Sequence, residues 1–407
     1  MLLEIISLLS FLLVRQNCNA IKCCATVPDY YRANGNCWDN PDAESTQTEI
    51  LQRWGAKVDE HFLTTDDGYV IFMSTASFNK TKSTPVVFGH GQHHNGDSFV
   101  TNYNKSLVYN LLQDGYEVSI INYRGSKYSK GHVNLSYSDE AYWNFGFHEM
   151  AVYDLRKCLE FIYSRNKEKS IYIGYSLGTL ISFAYSSTFS EEAGEYLQGI
   201  ISFGPFATLS RVRSLFNPGL VIWPAIRPFF KLVFGNYLPR AEAALDIASK
   251  SPLGWLFLEF IERLPIIGID LGQIDPSYKP VQVFLFEDKI PIGVLDQLSE
   301  LRRSGKLIQK DYGVKNMEVY GTPTPPVYDL SKIIVPNALF VGKGDFLGDP
   351  NEATFIYEQF TNETQCGYVL IKLDGWYHGD FLWAKDGIEL LVKPVMEKIK
   401  QLEQNSC

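Results

Sequence analysis

Five residues near the middle of the chain, Gly174-Tyr175-Ser176-Leu177-Gly178, have the spacing of a serine set on a sharp strand-to-helix turn. The apolar stretch Ser170-Ile171-Tyr172-Ile173 precedes them, and helix-forming residues from Leu177 to Ser187 follow. Such a turn forces the serine into a strained backbone conformation, and flanking glycines relieve the crowding around it. It also places free backbone N–H groups of the helix start beside the hydroxyl, where negative charge develops when a carbonyl is attacked. The pentapeptide alone arises readily by chance; the strand before it and the helix after it give it weight. The chemistry implied is nucleophilic catalysis by Ser176.

A serine nucleophile needs a base, and in folds built on this turn the order along the chain is serine, acid, histidine. Of seven histidines only His378 follows Ser176. It lies just past an apolar run and before the last helical stretch, where a loop can swing its imidazole over the serine. The acid belongs at the end of the preceding strand. Asn337 to Val341 runs into Gly342-Lys343-Gly344-Asp345, which nominates Asp345 to hold the imidazole tautomer. Asp349 is the competitor, with the alternative role of capping a helix near Asn351; Asp374 is too close to His378 in sequence. An oxyanion hole takes two backbone N–H groups, here those of Leu177 and of Gln92 in the loop after Val86-Val87-Phe88-Gly89-His90-Gly91. A metal site from His90, His93 and His94 is the weaker reading of that loop, because no acidic residue adjoins them.

These residues must be carried by a sheet. Val58 to Ser77 reads as a hairpin about an Asp66-Asp67-Gly68 turn. From Pro85 onward short apolar runs alternate with helical stretches, the pattern of a parallel sheet with crossover helices. The expected strands are Val86–Phe88, Glu117–Asn122, Ser170–Gly174, Gly199–Phe203, Asn337–Val341 and Tyr368–Leu373. The expected helices are Ser106–Asp114, a long amphipathic one over Glu140–Arg165, Leu177–Ser187, and Gly387–Gln404. The fold class is therefore α/β, an α/β-hydrolase fold with a mostly parallel central sheet and helices on both faces. Residues 58–209 and 328–407 form its two parts.

Between them, residues 210–327 lose the strand–helix repeat. Proline-punctuated apolar segments replace it: Leu220–Pro224, Phe229–Phe234 and Leu253–Ile269. Pro218, Pro224, Pro228, Arg227 and Lys231 break any run long enough to span a bilayer. The expectation is a mainly helical cap or lid over the sheet, whose apolar side chains either pack on the core or line an apolar substrate site.

The N-terminal residues 1–20 read as a secretory signal, with an apolar run from Ile5 to Val14 and small residues at Cys18-Asn19-Ala20, though Glu4 stands where a basic residue is usual. Asn79, Asn104, Asn134 and Asn362 open glycosylation sequons, which have meaning on the secretory route. Cleavage after Ala20 leaves six cysteines, and the cluster of Cys23, Cys24 and Cys37 in segment 21–57 suits a disulfide, with zinc the weaker reading for want of a nearby histidine. A net charge of −9 and a pI near 5.4, without basic runs, argue against nucleic acid as a partner.

Further motifs give the chain a family likeness. It resembles the acid lipase family that includes gastric lipase and lysosomal acid lipase, from about Trp54 to Asp386. The likeness rests on Thr65-Asp66-Asp67-Gly68-Tyr69-Val70, the His90-Gly91 loop, Asp114-Gly115-Tyr116-Glu117-Val118 and Asn122-Tyr123-Arg124-Gly125. It continues through Glu149–Leu155, the Ser176 turn, Gly204-Pro205-Phe206-Ala207-Thr208, Ser304-Gly305-Lys306, the Asp345 turn and Tyr377–Trp383. The resemblance implies Ser176, Asp345 and His378 as the triad and Gln92 and Leu177 as oxyanion donors. It also implies a lid opening at a lipid–water interface, hydrolysis of acylglycerols or sterol esters without a cofactor, and a secreted or lysosomal location. The sequence departs from the family at the serine turn, where His-Ser-Gln-Gly is usual and Tyr175 and Leu177 stand here, and at Gln92-His93-His94, where apolar residues are usual. Two other readings stay open: a carboxylesterase for smaller soluble esters, and a lipid-binding protein that kept the fold. The complete Ser176, Asp345 and His378 set argues against the second.

Overall fold

The continuous apolar runs after Pro85 form the strands of one sheet. The computed structural model describes residues 22–26, 28–29, 35–43, 45–214, 216–238, 273, 275, 288–372 and 375–407. The signal expected at 1–20, the Leu253–Ile269 segment and Asp374 lie outside the described residues. In chain order the strands are β1 (Lys22–Cys24), β2 (Cys37–Asp39), β3 (Lys57–Thr64), β4 (Tyr69–Ser77), β5 (Val86–Gly89), β6 (Val118–Asn122) and β7 (Gly131–His132). There follow β8 (Ser170–Tyr175), β9 (Leu197–Phe203), β10 (Tyr237–Leu238), β11 (Ile290–Pro291), β12 (Asn337–Gly342) and β13 (Gln365–Ile371).

The main sheet runs in the order β13-β12-β9-β8-β5-β6-β4-β3, with β7 paired to β4. Strands β5, β6, β8, β9, β12 and β13 are parallel to their neighbours in that set, and the β3–β4 hairpin adds antiparallel to β6. Every residue of β5, β6, β8 and β12 is buried, which is why these strands read as unbroken apolar runs rather than as alternation. Their side chains still alternate between two cores. Val87 and Tyr172 face the helices Arg156–Asn166 and Leu177–Thr188, while Val86, Phe88, Ile171 and Ile173 face Leu107–Gln113 and Lys393–Glu403. The α/β-hydrolase expectation holds.

One helix differs from its expectation. Instead of a continuous Glu140–Arg165 helix, a 3-10 turn covers Glu140–Trp143, and helical structure restarts at Phe147 and runs to Asn166 through a π-helical stretch at Met150–Leu155. Tyr142, Trp143, Phe145 and Phe147 are all buried, and one face of a surface helix has no room for four large rings within six residues. The chain breaks around them, and the Glu149 carboxylate caps the restart by accepting from Gly146 N–H at 2.8 Å. The last strand lies earlier than Tyr368–Leu373, at Gln365–Ile371.

Between β9 and β12 the described residues form the helices Phe216–Phe234 and Ile292–Ser304, the short β10–β11 pair and a few turns. Leu220–Pro224 and Phe229–Phe234 belong to the first helix despite Pro224 and Pro228 inside it. Pro224 has no N–H to give the Leu220 carbonyl, and the Ser299 hydroxyl of the second helix donates to that oxygen instead, at 2.7 Å. Trp223 Nε1 and Arg227 Nε also donate to Asp296, so the two helices pack as a pair.

Of the cysteines, Cys24 pairs with Cys37 across β1 and β2, and Cys366 pairs with Cys407. Cys23 and Cys158 are buried free thiols. Asn79, Asn104, Asn134 and Asn362 are all exposed.

Candidate active site

Strand β8 delivers Ser176 at the carboxyl edge of the sheet. Its backbone sits at φ 54°, ψ −119°, a region that costs about 1–3 kcal/mol and persists only where the surroundings impose it. They do so through its N–H, which donates to Phe203 O at 3.0 Å on neighbouring β9. The turn is crowded: a Cβ on Gly178 would lie 2.3 Å from Gly89 O, and one on Gly91 2.9 Å from Ser176 Cβ. The Gly89–Gly91 loop is thus pressed onto the serine turn, and Gln92 follows directly behind it. Leu177 opens the helix Leu177–Thr188 on the other side.

His378 comes from the loop after β13 and Asp345 from the turn after β12. Nε2 of His378 lies 2.8 Å from Ser176 Oγ, and Nδ1 lies 2.8 Å from Asp345 Oδ2. A carboxylate only accepts, so a neutral imidazole bonded to it carries its proton on Nδ1 and leaves Nε2 free to accept from the serine hydroxyl. The second oxygen of Asp345 accepts from the N–H groups of Leu347 and Gly348, both at 2.8 Å, and the carboxylate is fully buried. Its orientation is fixed on both sides. Asp349 takes the capping alternative: it accepts from Asn351 N–H at the start of the helix Pro350–Tyr357 and pairs with Arg213.

Three residues to which sequence reasoning gave no role in the site complete the arrangement. Gly204, at φ 55°, lies against the acid–base pair, and a Cβ there would come within 2.9 Å of Asp345 Oδ2 and of His378 Nδ1. Only its place in the Gly204–Thr208 motif could have flagged it. The Tyr175 hydroxyl donates to the His378 carbonyl at 3.2 Å, with the two rings 5.1 Å apart. Burial together with the negative charge of Asp345 and Asp380 holds that phenol well above its usual range, so it stays a donor. Asp288, from the segment between β9 and β12, reaches the loop after β5, with its carboxylate 3.2 Å from Asn95 Nδ2. No sequence signal links two residues so far apart.

The three histidines of the β5 loop go to separate duties. His90 Nε2 accepts from Tyr123 N–H at 3.0 Å and its Nδ1 donates to the Gly91 carbonyl at 2.9 Å. His94 bonds Ser98 Oγ at 3.0 Å and packs on Tyr175 and Trp383. Burial pushes His90 and His93 down to about 4, and His94 falls well below its usual value through burial and the neighbouring imidazoles. Each is a neutral ring near pH 7. Among the described residues no group of three potential ligands is gathered for a metal.

A small, open pocket lies beside this loop, bordered by Gln92, His93, Leu177, Asp288, Lys289 and Pro291. A hydroxyl bonded to an imidazole, an imidazole bonded to a carboxylate, and backbone donors at a helix start together can run acyl transfer.

Comparison with known proteins agrees with this chemistry. The α/β hydrolase fold family matches residues 84–247, and a partial α/β-hydrolase lipase region matches residues 47–103. Gastric triacylglycerol lipase of Bos taurus is 29% identical over 370 residues, covering 86% of this chain and 90% of that protein. The gastric triacylglycerol lipase of Rattus norvegicus is 30% identical over 365 residues, covering 85% and 89%. Among solved structures, an α/β hydrolase from Penicillium sp. sh18 superposes with a TM-score of 0.52 at 13% identity, over 86% of this chain and 99% of that one, a likeness of fold.

Proposed function

The chain belongs to the α/β-hydrolase lipase family that includes gastric triacylglycerol lipase, and from that premise we propose that it hydrolyses carboxylic ester bonds of acylglycerols or sterol esters through an acyl-enzyme on Ser176. The observation that carries this reading is the unbroken hydrogen-bond chain from Ser176 Oγ through His378 to Asp345.

In the first step Ser176 Oγ attacks the ester carbonyl while His378 Nε2 takes the hydroxyl proton, and Asp345 stabilises the resulting imidazolium. The carbonyl oxygen becomes an oxyanion held by the backbone N–H groups of Gln92 and Leu177. The intermediate collapses, the C–O bond to the alcohol breaks, and His378 returns the proton to the departing oxygen. Water then attacks the acyl-serine with His378 again as base, releasing the carboxylic acid and regenerating Ser176. Apart from substrate and water, both halves use only groups of the chain.

Residues 210–327 act in this reading as a cap and lid. The helix Phe216–Phe234 supports the role, because Ile222, Phe229, Leu232 and Val233 stand more than half exposed on it, an apolar surface suited to a lipid–water interface. No helix among the described residues is long and apolar enough to cross a membrane. Exposed sequons at Asn79, Asn104, Asn134 and Asn362 and the Cys24–Cys37 and Cys366–Cys407 disulfides support passage through the secretory route to a secreted or lysosomal location.

A fluorophosphonate probe tests the core of the proposal. It should label the native protein at Ser176 and not the Ser176→Ala variant, and turnover of emulsified triacylglycerol should disappear with the label. An unlabelled native protein would favour the lipid-binding reading. Labelling with turnover of soluble short-chain esters alone would favour a carboxylesterase.

A further inference from the structure

The loop that follows β5 holds a conformation its own sequence does not favour. His93 sits at φ 65°, in the left-handed region, where a non-glycine residue persists only if its surroundings hold it. What holds it comes from far along the chain. The His93 imidazole bonds the backbone of Asp288. The Asp288 carboxylate accepts from Asn95 Nδ2 at 3.2 Å and from Lys127 N–H at 2.7 Å. Asn95 in turn caps the 3-10 helix Gly96–Phe99, its Oδ1 accepting from Asp97 N–H at 3.0 Å. Lys127 pairs with Asp97. Both ends of the turn carrying Gln92 and His93 are therefore tied: one by Gly91 against Ser176, the other through His93 and Asn95 to Asp288.

The anchor is itself fixed. The next residue, Lys289, sets its ammonium 3.8 Å from the Tyr237 ring centre and 5.0 Å from that of Trp143. β11 then begins at Ile290 and pairs with β10. Asp288 is 6% exposed, so its carboxylate has little recourse to water if the Asn95 and Lys127 donors are lost.

We propose that Asp288 is a positioning residue for the oxyanion-hole loop: through Asn95 and His93 it holds the Gln92 N–H toward the carbonyl attacked by Ser176, so that the cap and the oxyanion hole are set as one unit. The proposal rests on the serine-hydrolase reading above. It locates the chain's departure from its family at Gln92-His93-His94 in a contact with the cap, rather than in a metal site or a solvated loop.

Asp288→Ala and Asn95→Ala, made in the full chain, test it with a soluble short-chain p-nitrophenyl ester, which needs no lipid surface. Each variant should lose about tenfold or more in kcat with KM within about twofold, because a mis-set oxyanion donor weakens the transition state rather than substrate binding. The rate of fluorophosphonate labelling at Ser176 should fall in parallel, and the double variant should lose no more than either single one. Thermal midpoints monitor folding, and Asn95→Ala carries the test if Asp288→Ala does not fold. Unchanged kcat in a folded variant, or losses that multiply in the double variant, would overturn the proposal. Native protein that turns over no ester through Ser176 would instead overturn the serine-hydrolase reading itself, a distinct outcome.

Discussion

The Tyr175 hydroxyl donates to the backbone carbonyl of His378 at 3.2 Å, so the residue before the proposed nucleophile holds the segment that presents the proposed base. The bond spans 203 residues of sequence and joins the serine turn directly to the loop after β13. Tyr175→Phe removes it while keeping the ring contact with the imidazole. One neutral hydrogen bond is worth about 1 kcal/mol, so kcat on a soluble ester should fall about fivefold. Ser176 should remain open to fluorophosphonate. A variant indistinguishable from the parent in kcat would show that packing alone positions His378.

The proposed triad should behave as a unit. Ser176→Ala and His378→Ala should each lower kcat by a factor on the order of 10⁴ or more, and combining them should cost little further. Asp345→Asn keeps shape and burial but cannot hold the Nδ1–H tautomer, so a loss on the order of 10⁴ is expected. Steady-state rates on p-nitrophenyl esters, with circular dichroism to confirm folding, check all three. Asp349→Asn should leave kcat within about twofold and show in the thermal midpoint, since that carboxylate caps a helix.

Arg124 and Asp154 are both fully buried and 2.6 Å apart, and Arg124 also reaches Asp67 at 2.5 Å. Burial pushes the Asp154 carboxyl up to about 6, against the pull of Arg124. Asp154→Ala should cost about 3–5 kcal/mol in urea unfolding, because it leaves a buried guanidinium short of a partner. A cost below about 1 kcal/mol would mean that Asp67 and the Tyr69 ring, 3.9 Å from the guanidinium carbon, satisfy Arg124 by themselves.

Burial raises the Asp288 carboxyl from 3.8 to about 7. The native state therefore keeps this proton over a pH range in which the unfolded chain has released it. The contribution to stability is complete below the unfolded value and is lost as the pH rises through about 7. Asp288→Asn has no such dependence. Its thermal midpoint relative to the parent should therefore shift in the variant's favour between about pH 5 and about pH 8. A difference that does not move with pH, followed by scanning calorimetry, would contradict the assignment.

Leu232 is 85% exposed on the helix Phe216–Phe234. Leu232→Glu should depress turnover of emulsified long-chain substrate by several-fold and leave soluble esters unaffected, since a charge there opposes contact with lipid but does not touch the site. Equal losses on both substrates would remove this helix from the interface.

How far the sequence could be read depends on how local each signal is. Ser176 was legible because a strand, a turn and a helix follow one another without interruption, and His378 because no other histidine comes after the serine. The hairpin β3–β4 and the buried strands announced themselves through turn residues and apolar runs. The break at Asn144–Gly146 did not: the periodicity of 140–165 suits a helix, and only the packing of Tyr142, Trp143, Phe145 and Phe147 into the core overrides it. Asp67, Arg124 and Asp154 were visible as parts of three separate motifs, but their meeting in one ion cluster was not. The Asp288–Asn95 contact had no signal at all, because a pairing across 193 residues leaves no periodicity in a single chain.

Pro224 leaves the Leu220 carbonyl to be satisfied by Ser299, a residue of another helix. The helix Phe216–Phe234 is thus incomplete in isolation, and a peptide of these residues should be frayed about Leu220 in water. The first helix is completed at Leu220 only with the second docked against it. Any rearrangement that parted them would expose a bare carbonyl as well as apolar surface, so movement of this region should proceed by the pair as a rigid body rather than by unwinding of one member.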